Sequence, residues 1–245
     1  MLEKLKNPFT IIIAAIVTIV VVVMGVLLVK IEEKEKAASS NALSQESSGN
    51  LNPKIVQYDY DPKQLSVEGT TVKLGNPQAK TTLTMVGDYS CPGCKTNEEQ
   101  TRDAIEKYVK SGDVKVEYKM VSILDNTDKY STRTANFMLA VAKTSPAQWG
   151  TLHNTLFENQ PPHTNEPTGY TDKQLLGVAK EVGVKDTSAI AKAMKDETYF
   201  DQISTQTDTL IKQGLEGTPT VFLNGKEISY GSTGQFTALV DRAIR

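Results

Sequence analysis

The chain has 245 residues, of which 39% are hydrophobic, and a formal net charge of −2 at pH 7. So small a net charge gives no reason to expect a nucleic acid or an acidic partner, because such recognition relies on a strong excess of opposite charge. Only two of the residues are cysteines, so any thiol chemistry must pass through that one pair.

The N-terminus predicts a membrane anchor. Residues 9–29 form an uncharged, almost wholly apolar run that would span about 31 Å as a helix, close to the thickness of a bilayer's hydrocarbon core. Lys4 and Lys6 precede it, as in the charged start of a signal sequence. We interpret the run as an uncleaved signal anchor behind a short cytoplasmic N-terminus (1–8), with cleavage near residues 37–42 as the alternative.

A change in composition separates this run from the rest of the chain. Residues 30–54 are charged and then rich in Ser, Asn, Gln and Gly, which predicts a flexible linker. Residues 55–245 are long enough for one domain with a sizeable core. We therefore expect a single domain that is tethered to the membrane.

The first half of this domain alternates strands with one helix. Short strands are predicted over residues 71–74 and 81–86, and the second runs directly into the cysteine pair. Pro92 suits the first turn of a helix, which its apolar spacing extends to about residue 110. The strict alternation that follows predicts a third strand over residues 114–124.

The second half begins with helices and ends in β-structure. Helical periodicity predicts a block of five helices, which cover residues 131–143, 145–159, 171–183, 187–195 and 199–213. A strand over residues 219–223, a turn at Asn224-Gly225, a short strand around 227–228 and an amphipathic C-terminal helix follow. The order predicts an α/β fold with an all-helical insertion at about residues 130–214.

The cysteines form the motif Cys91-Pro92-Gly93-Cys94, at the junction of a strand and a helix. A structural disulfide here is disfavoured, because so short a loop removes little entropy from the unfolded chain. A zinc site would need two further ligands, and only His153 and His163 are available, at no spacing typical of a finger. A dithiol pair for disulfide exchange is therefore the favoured interpretation.

Four stretches give this layout a specific resemblance. They are Gly87–Cys94, Tyr130-Ser131, Leu156–Pro161 and Gly217-Thr218-Pro219-Thr220-Val221. The arrangement resembles the thioredoxin-like fold, with a helical insertion, of the DsbA-like thiol-disulfide oxidoreductases, in particular the membrane-tethered versions of Gram-positive bacteria. The resemblance covers residues 70–245.

Position on the helix suggests different roles for the two cysteines. Cys91 would face the backbone N–H groups and the positive end of the helix dipole, which favour a thiolate, and we expect it to be exposed and to attack the substrate. Cys94, one turn inside, would be sheltered and would resolve the mixed disulfide. Pro92 and Gly93, between them, tune the pair.

The resemblance also implies a second wall of the site. In the family, the proline that corresponds to Pro219 follows a cis peptide bond and lies beside the cysteines, and Thr218 would pair its backbone with an extended substrate segment. The residues alone would favour a trans proline at the start of a strand. The Thr218 hydroxyl is also placed to reach the sulfur of Cys91.

Three positions depart from the pattern of related enzymes. Gly93 replaces a histidine that stabilises the thiolate in some members, and Thr218 replaces an apolar residue of strong oxidases, so that we expect a milder oxidant. Met85 occupies the place of the buried acid of thioredoxin-type reductases. Asp88 and Glu98 are candidates for the missing proton-transfer group, although a helix cap or a surface position is the favoured interpretation of either. His153, on a predicted helix, is expected to be a partly buried structural residue.

The resemblance implies a thiol-disulfide oxidoreductase, outside the cell membrane, that introduces disulfides into exported proteins and is re-oxidised by a quinone-linked membrane partner. The redox-active Cys91–Cys94 disulfide would be its only cofactor, without a metal ion, and we expect a monomer. A reductase or isomerase that is kept reduced is one alternative. A tethered binding or chaperone module without turnover is another.

Overall fold

The computed structural model of the protein describes residues 51–163 and 169–245, which belong to a unit formed by residues 50–245. The predicted anchor, residues 9–29, lies outside the described residues, as does the predicted linker up to residue 50. Within the described ranges, no helix is both long and apolar enough to cross a membrane.

A six-stranded mixed sheet forms the framework of this unit. Its strands are β1 (Leu65–Glu68), β2 (Thr71–Leu74), β3 (Thr81–Gly87), β4 (Val114–Met120), β5 (Thr220–Leu223) and β6 (Lys226–Ile228). They are arranged in the order β1-β2-β4-β3-β5-β6, and each neighbouring pair is antiparallel except β3 and β4. This parallel pair is joined by a crossover helix, since a tight turn cannot connect parallel strands.

The described residues contain seven α-helices. These are α1 (Pro92–Ser111), α2 (Tyr130–Thr144), α3 (Pro146–Glu158), α4 (Asp172–Glu181), α5 (Ser188–Lys195), α6 (Phe200–Lys212) and α7 (Thr233–Ile244). A single 3₁₀ turn, Pro62–Gln64, precedes β1. Helices α2 to α6 form the predicted helical insertion between β4 and β5, which confirms the α/β order expected from the sequence.

Two elements differ from the prediction. The strand predicted over residues 114–124 ends at Met120, because its neighbour β3 ends at Gly87, directly opposite, and the ladder has no further partner. Strand β1 was not predicted, since its four residues are only half-buried or exposed and its pairing with β2 is what defines it.

The central strand β3 positions the cysteine motif. Its side chains Leu83 and Met85 are buried, and it pairs with β4 on one side and β5 on the other. After Gly87 a short loop leads into α1, whose first turn contains Pro92. The far end of α1 is closed by Gly112, which has a φ of 79° that favours glycine.

Polar side chains hold the insertion together. The Asn136 amide donates to the carbonyl of Ala193 at 3.1 Å, and its oxygen accepts the N–H of Tyr199 at 2.9 Å. Arg133 donates to the Asp172 carboxylate at 2.8 Å and to the Tyr170 carbonyl at 2.7 Å. These contacts connect α2 with α4, α5 and the start of α6.

An extended segment before β1 packs along α3. The N–H groups of Lys54, Val56 and Tyr58 donate to Asn159 Oδ1, Thr155 Oγ1 and Thr151 Oγ1 at 2.9, 3.1 and 3.1 Å. Alternate residues of an extended chain thus meet every fourth residue of a helix. The segment also places the rings of Tyr58 and Tyr60 against the backbone of α3 at Gly150, which has no side chain beyond a hydrogen atom.

Gly150 makes this packing possible. A Cβ at this position would lie 2.7 Å from Cε1 of Tyr60 and 2.9 Å from Cδ1 of Tyr58. We expect Gly150→Ala to lower the free energy of unfolding, because overpacking costs about 1–3 kcal/mol and outweighs the gain in helix propensity of about 1 kcal/mol. Urea unfolding, followed by the fluorescence of the single tryptophan, Trp149, measures it.

Gly177 in α4 is the matched control, since a Cβ there would meet no heavy atom within 4 Å. Gly177→Ala should raise the free energy of unfolding by about 0.5–1 kcal/mol, through helix propensity alone. Equal effects of the two substitutions would contradict the packing that we describe.

Candidate active site

The two cysteines lie at the start of α1 as free thiols, and the sulfur of each accepts a backbone N–H. Cys91 is the N-cap residue of the helix, and its sulfur accepts the N–H of Cys94 at 3.3 Å. The Cys94 sulfur accepts the N–H of Asp88 at 3.5 Å. The first turn of α1 and the residue that follows β3 therefore each direct a backbone N–H at one of the sulfur atoms.

Both cysteines are buried, which corrects the expectation that Cys91 is exposed. Cys91 is 5% exposed and Cys94 is 3% exposed. The Thr218 carbonyl accepts the Cys91 thiol at 3.2 Å, so the loop before β5 packs against that sulfur. The exposed residues around it are Pro92, Gly93 and Pro219. Access to Cys91 therefore passes between these three residues.

The two thiols differ in acidity, because one donates to the other. The hydrogen bond from Cys94 is the largest cause that lowers the pKa of Cys91, to about 5, and Thr218 and the N–H groups of Cys94 and Gly93 add to it against burial. The same hydrogen bond, and then burial, raises the pKa of Cys94 far above its usual range. Cys91 is therefore the more acidic thiol of the pair, and Cys94 is the one that keeps its proton.

The peptide bond between Thr218 and Pro219 is cis, as the resemblance implied. The turn lies directly against the motif. A Cβ added at Gly93 would be 3.1 Å from Pro219 Cδ and 3.6 Å from the Cys91 sulfur. The structure therefore brings Cys91 and Gly93 together with Thr218 and Pro219, which are more than 120 residues away in the sequence.

Asp88 is a buried carboxylate, which corrects the expectation of a helix cap or a surface position. It accepts the N–H of Ser90 at 2.8 Å, the hydroxyl of Ser131 at 2.5 Å and the N–H of Leu124 at 3.0 Å. Burial raises the pKa of Asp88 to about 6, against the effect of these three hydrogen bonds. Asp88 fastens the loop before the cysteines to the segment after β4 and to the start of α2.

Sequence reasoning missed Gln160, which follows the end of α3. Its amide nitrogen donates to the carbonyl of Tyr89 at 2.8 Å and to the carbonyl of Cys91 at 3.0 Å. It therefore fixes the backbone that precedes α1 from the side of the insertion. The stretch Leu156–Pro161 contained it, but no periodicity distinguishes a residue beyond a helix end.

The remaining candidate residues differ in how deeply they are buried. Glu98 is 6% exposed and His153 is 2% exposed, with His153 Nε2 lying 3.5 Å from a carboxylate oxygen of Glu98. The expectation that His153 is a buried structural residue on a helix agrees with its position in α3, whereas Glu98 is not on the surface. Met85 is buried, and it lines a small cavity together with Cys94. His163 is exposed.

Comparison with known proteins agrees with this geometry. A family model described as Thioredoxin matches residues 67–242. The chain is 30% identical over 167 residues to disulfide bond formation protein D of Bacillus subtilis, a match that covers 67% of this chain and 72% of that protein.

Solved structures give the same answer at the level of the fold. The chain superposes on oxidised BdbD from Bacillus subtilis with a TM-score of 0.62 and 26% identity, over 74% of this chain and 96% of that one. Reduced DsbA from Mycobacterium tuberculosis matches with a TM-score of 0.62 and 22% identity, over 71% of this chain and 92% of that one. The chain therefore belongs to the thioredoxin superfamily, as a DsbA-like member, and is a protein thiol-disulfide oxidoreductase.

Proposed function

We propose that the protein introduces disulfides into exported proteins, with Cys91 as the attacked and attacking sulfur and Cys94 as the resolving one. The observation that carries this proposal is the position of Cys91 as the N-cap of α1, where its sulfur accepts the N–H of Cys94 at 3.3 Å and lies against the Thr218 carbonyl. In keeping with this position, the pKa of Cys91 is lowered and that of Cys94 is raised. A thiolate is the better nucleophile and the better leaving group in exchange. Cys91 is therefore the sulfur suited to a mixed disulfide.

The reaction has two exchange steps. A substrate thiolate attacks the Cys91 sulfur of the Cys91–Cys94 disulfide, and Cys94 leaves with the electron pair and is protonated. A second substrate thiolate then attacks the first substrate sulfur, and Cys91 leaves as the thiolate. The substrate is oxidised and the cysteine pair is reduced, so that no separate cofactor is needed.

Thr218 and Pro219 are the proposed substrate-binding wall. The cis bond sets Pro219 at the surface beside Gly93, and the Thr218 carbonyl lies 3.2 Å from the Cys91 sulfur. An extended substrate segment that pairs with the Thr218 backbone would bring its own sulfur to Cys91. In the absence of substrate, the Cys91 thiol uses the same carbonyl.

The lowered pKa of Cys91 also supports oxidation of the substrate as the direction of exchange. Stabilising the Cys91 thiolate stabilises the reduced protein and so makes the disulfide form more oxidising. The name of the Bacillus subtilis relative, disulfide bond formation protein D, supports this direction. Gly93 offers no side chain to the thiolate, and we therefore propose an oxidase that is milder than family members with histidine there.

The location is proposed from the sequence. The apolar run over residues 9–29 would anchor the protein as an uncleaved signal anchor, with the domain on the extracytoplasmic face, where disulfides persist. Electrons taken from substrates would pass to a quinone-linked partner in the same membrane, which re-oxidises the Cys91–Cys94 pair. The protein would act as a monomer.

The two cysteines should give opposite phenotypes when each is replaced by the same residue. Cys91→Ala should abolish dithiol oxidation, because no mixed disulfide can form. Cys94→Ala should accumulate mixed disulfides between Cys91 and substrate proteins, because nothing resolves them. Non-reducing gels of cells that express each variant show the adducts, and full oxidase activity in both variants would refute the assignment.

The alkylation rate of Cys91 should follow its thiolate fraction. Because the pKa of Cys91 is lowered to about 5, the rate with iodoacetamide in the reduced protein should be lost only as the pH falls through about 5. In Cys94→Ala the midpoint should rise towards about 8.5, the usual value, since the main stabilising hydrogen bond is gone. A midpoint near 8.5 in the unaltered protein would favour a binding module without turnover.

The equilibrium with glutathione tests the direction. We expect a reduction potential between that of thioredoxin, about −270 mV, and that of the strongest oxidant of the family, about −120 mV. Alkylation trapping in cells should find the pair oxidised at steady state. A potential at or below that of thioredoxin, together with a largely reduced pair, would assign the protein as a reductase or isomerase instead.

A further inference from the structure

The exchange chemistry leaves one proton without an evident acceptor. Cys94 holds its proton tightly, because its pKa is raised by the hydrogen bond to Cys91 and by burial. It must nevertheless lose that proton to attack Cys91, and regain one when it leaves. Met85 occupies the position from which thioredoxin-type reductases supply a buried acid, and a thioether accepts no proton.

We propose that Glu98, paired with His153, is the group that takes the proton from Cys94 and returns it. This inference deepens the proposed function and rests on it. Glu98 lies one helical turn after Cys94 on the same face of α1, and both side chains line the same small cavity. Met85, Tyr118, Phe157 and Pro219 are also in its wall.

The cavity is of the right size for a single water. The space open to the centre of a water-sized sphere is about 10 Å³, close to what one buried water needs. One water between the Cys94 thiol and the Glu98 carboxylate would connect the two groups. The other polar side chains in its wall are Asn97 and Tyr118, and neither is a carboxylate that could take the proton.

The surroundings of Glu98 are those of a carboxylate kept free for proton exchange. It is 6% exposed, and its one ion-pair contact among the described residues is with His153. By contrast, three donors occupy the carboxylate of Asp88.

His153 supplies the second half of the pair. Its Nε2 is buried, has no hydrogen-bond partner among the described residues and lies 3.5 Å from Oε1 of Glu98. Its Nδ1 lies 2.9 Å from the Tyr89 hydroxyl, which can donate to it and so leave the ring proton on Nε2. The ring stacks on Trp149, with centroids 4.9 Å apart. Glu98 therefore faces a ring N–H that can donate to its carboxylate.

The other titratable groups near Glu98 do not compete for the proton. Besides His153 and Cys94, they are the tyrosines Tyr58, Tyr89, Tyr118 and Tyr230. Burial, with the charge of Glu98 as a further cause, raises the pKa of each tyrosine, so that all four stay protonated. They surround the carboxylate with neutral rings.

Closure of the Cys91–Cys94 disulfide transfers one proton to Glu98. The Cys94 S–H bond breaks and its proton passes to the Glu98 carboxylate. The Cys94 sulfur forms a bond to the Cys91 sulfur, while the bond from Cys91 to the bound thiol compound breaks and that compound leaves as a thiolate. In the opposite direction, Cys94 leaves Cys91 with the electron pair and takes the proton from Glu98.

Reaction of the reduced full-length protein with excess oxidised glutathione separates the relevant steps. Attack by Cys91 forms the glutathione adduct, and attack by Cys94 then closes the disulfide and releases glutathione. Acid quenching and intact-protein mass spectrometry give a rate constant for each step. In Glu98→Gln we expect the second step to slow about 10²-fold at pH 7, with the first step unchanged within about twofold.

The pH profile separates proton transfer from a structural effect. In Glu98→Gln the second step should rise about tenfold per pH unit, because hydroxide must take the proton that Glu98 no longer accepts. Glu98→Asp, which keeps the carboxylate on a shorter stem, should recover part of the rate. Glu99→Gln is the matched control, since Glu99 is the next residue of α1 but is exposed, and both steps should keep their rates.

The outcomes are distinguishable. If the unaltered protein forms no adduct at Cys91, the proposed function fails. If it closes its disulfide and Glu98→Gln closes it equally fast at every pH, the proton-transfer role of Glu98 alone is refuted. Should Glu98→Gln not fold, His153→Phe, which keeps an aromatic ring but removes the N–H that faces Glu98, must slow the second step selectively, and an unchanged rate there would overturn the proposal.

Discussion

The placement of the Cys91 and Cys94 sulfur atoms together at the start of α1 is the constraint on which the site depends. By donating a hydrogen bond to Cys91, Cys94 becomes the largest cause of the low pKa of Cys91, and by the same bond it retains its proton itself. Activation of one sulfur therefore deactivates the other. A protein built on this bond needs two things: a rigid frame for the two sulfur atoms and an acid–base group for the second one.

The frame is supplied largely from outside the sheet. The Asp88 carboxylate joins the loop after β3 to Ser131 in α2 and to Leu124, and Gln160 at the end of α3 holds the carbonyls of Tyr89 and Cys91. The helical insertion therefore does more than enlarge the domain. It holds the backbone that leads into the N-cap residue, while the turn at Thr218 packs against the Cys91 sulfur.

Local patterns predicted most of the elements, whereas the contacts of the site depend on distant partners. Strand β2, helix α1 and the capped helix α4 carry periodicity or capping residues of their own, and the structure has them close to the predicted bounds. Strand β1 and the early end of β4 depend on strand pairing, to which periodicity is blind. The burial of Cys91 and the position of Glu98 opposite His153 arise only when α1 packs against α3 and the Thr218 turn, so the sequence favoured an exposed sulfur and a surface carboxylate.

Placing the acid–base group on α1 rather than on β3 has a physical consequence. A carboxylate on the strand could change its distance from Cys94 whenever the helix start moved against the sheet. Glu98 is joined to Cys94 by one turn of the same helix, so their spacing is fixed by the helix itself. The cost is the burial of a carboxylate among aromatic rings, which His153 offsets from α3. The insertion thus supplies the partner that allows a helix-borne carboxylate to replace one carried by the strand.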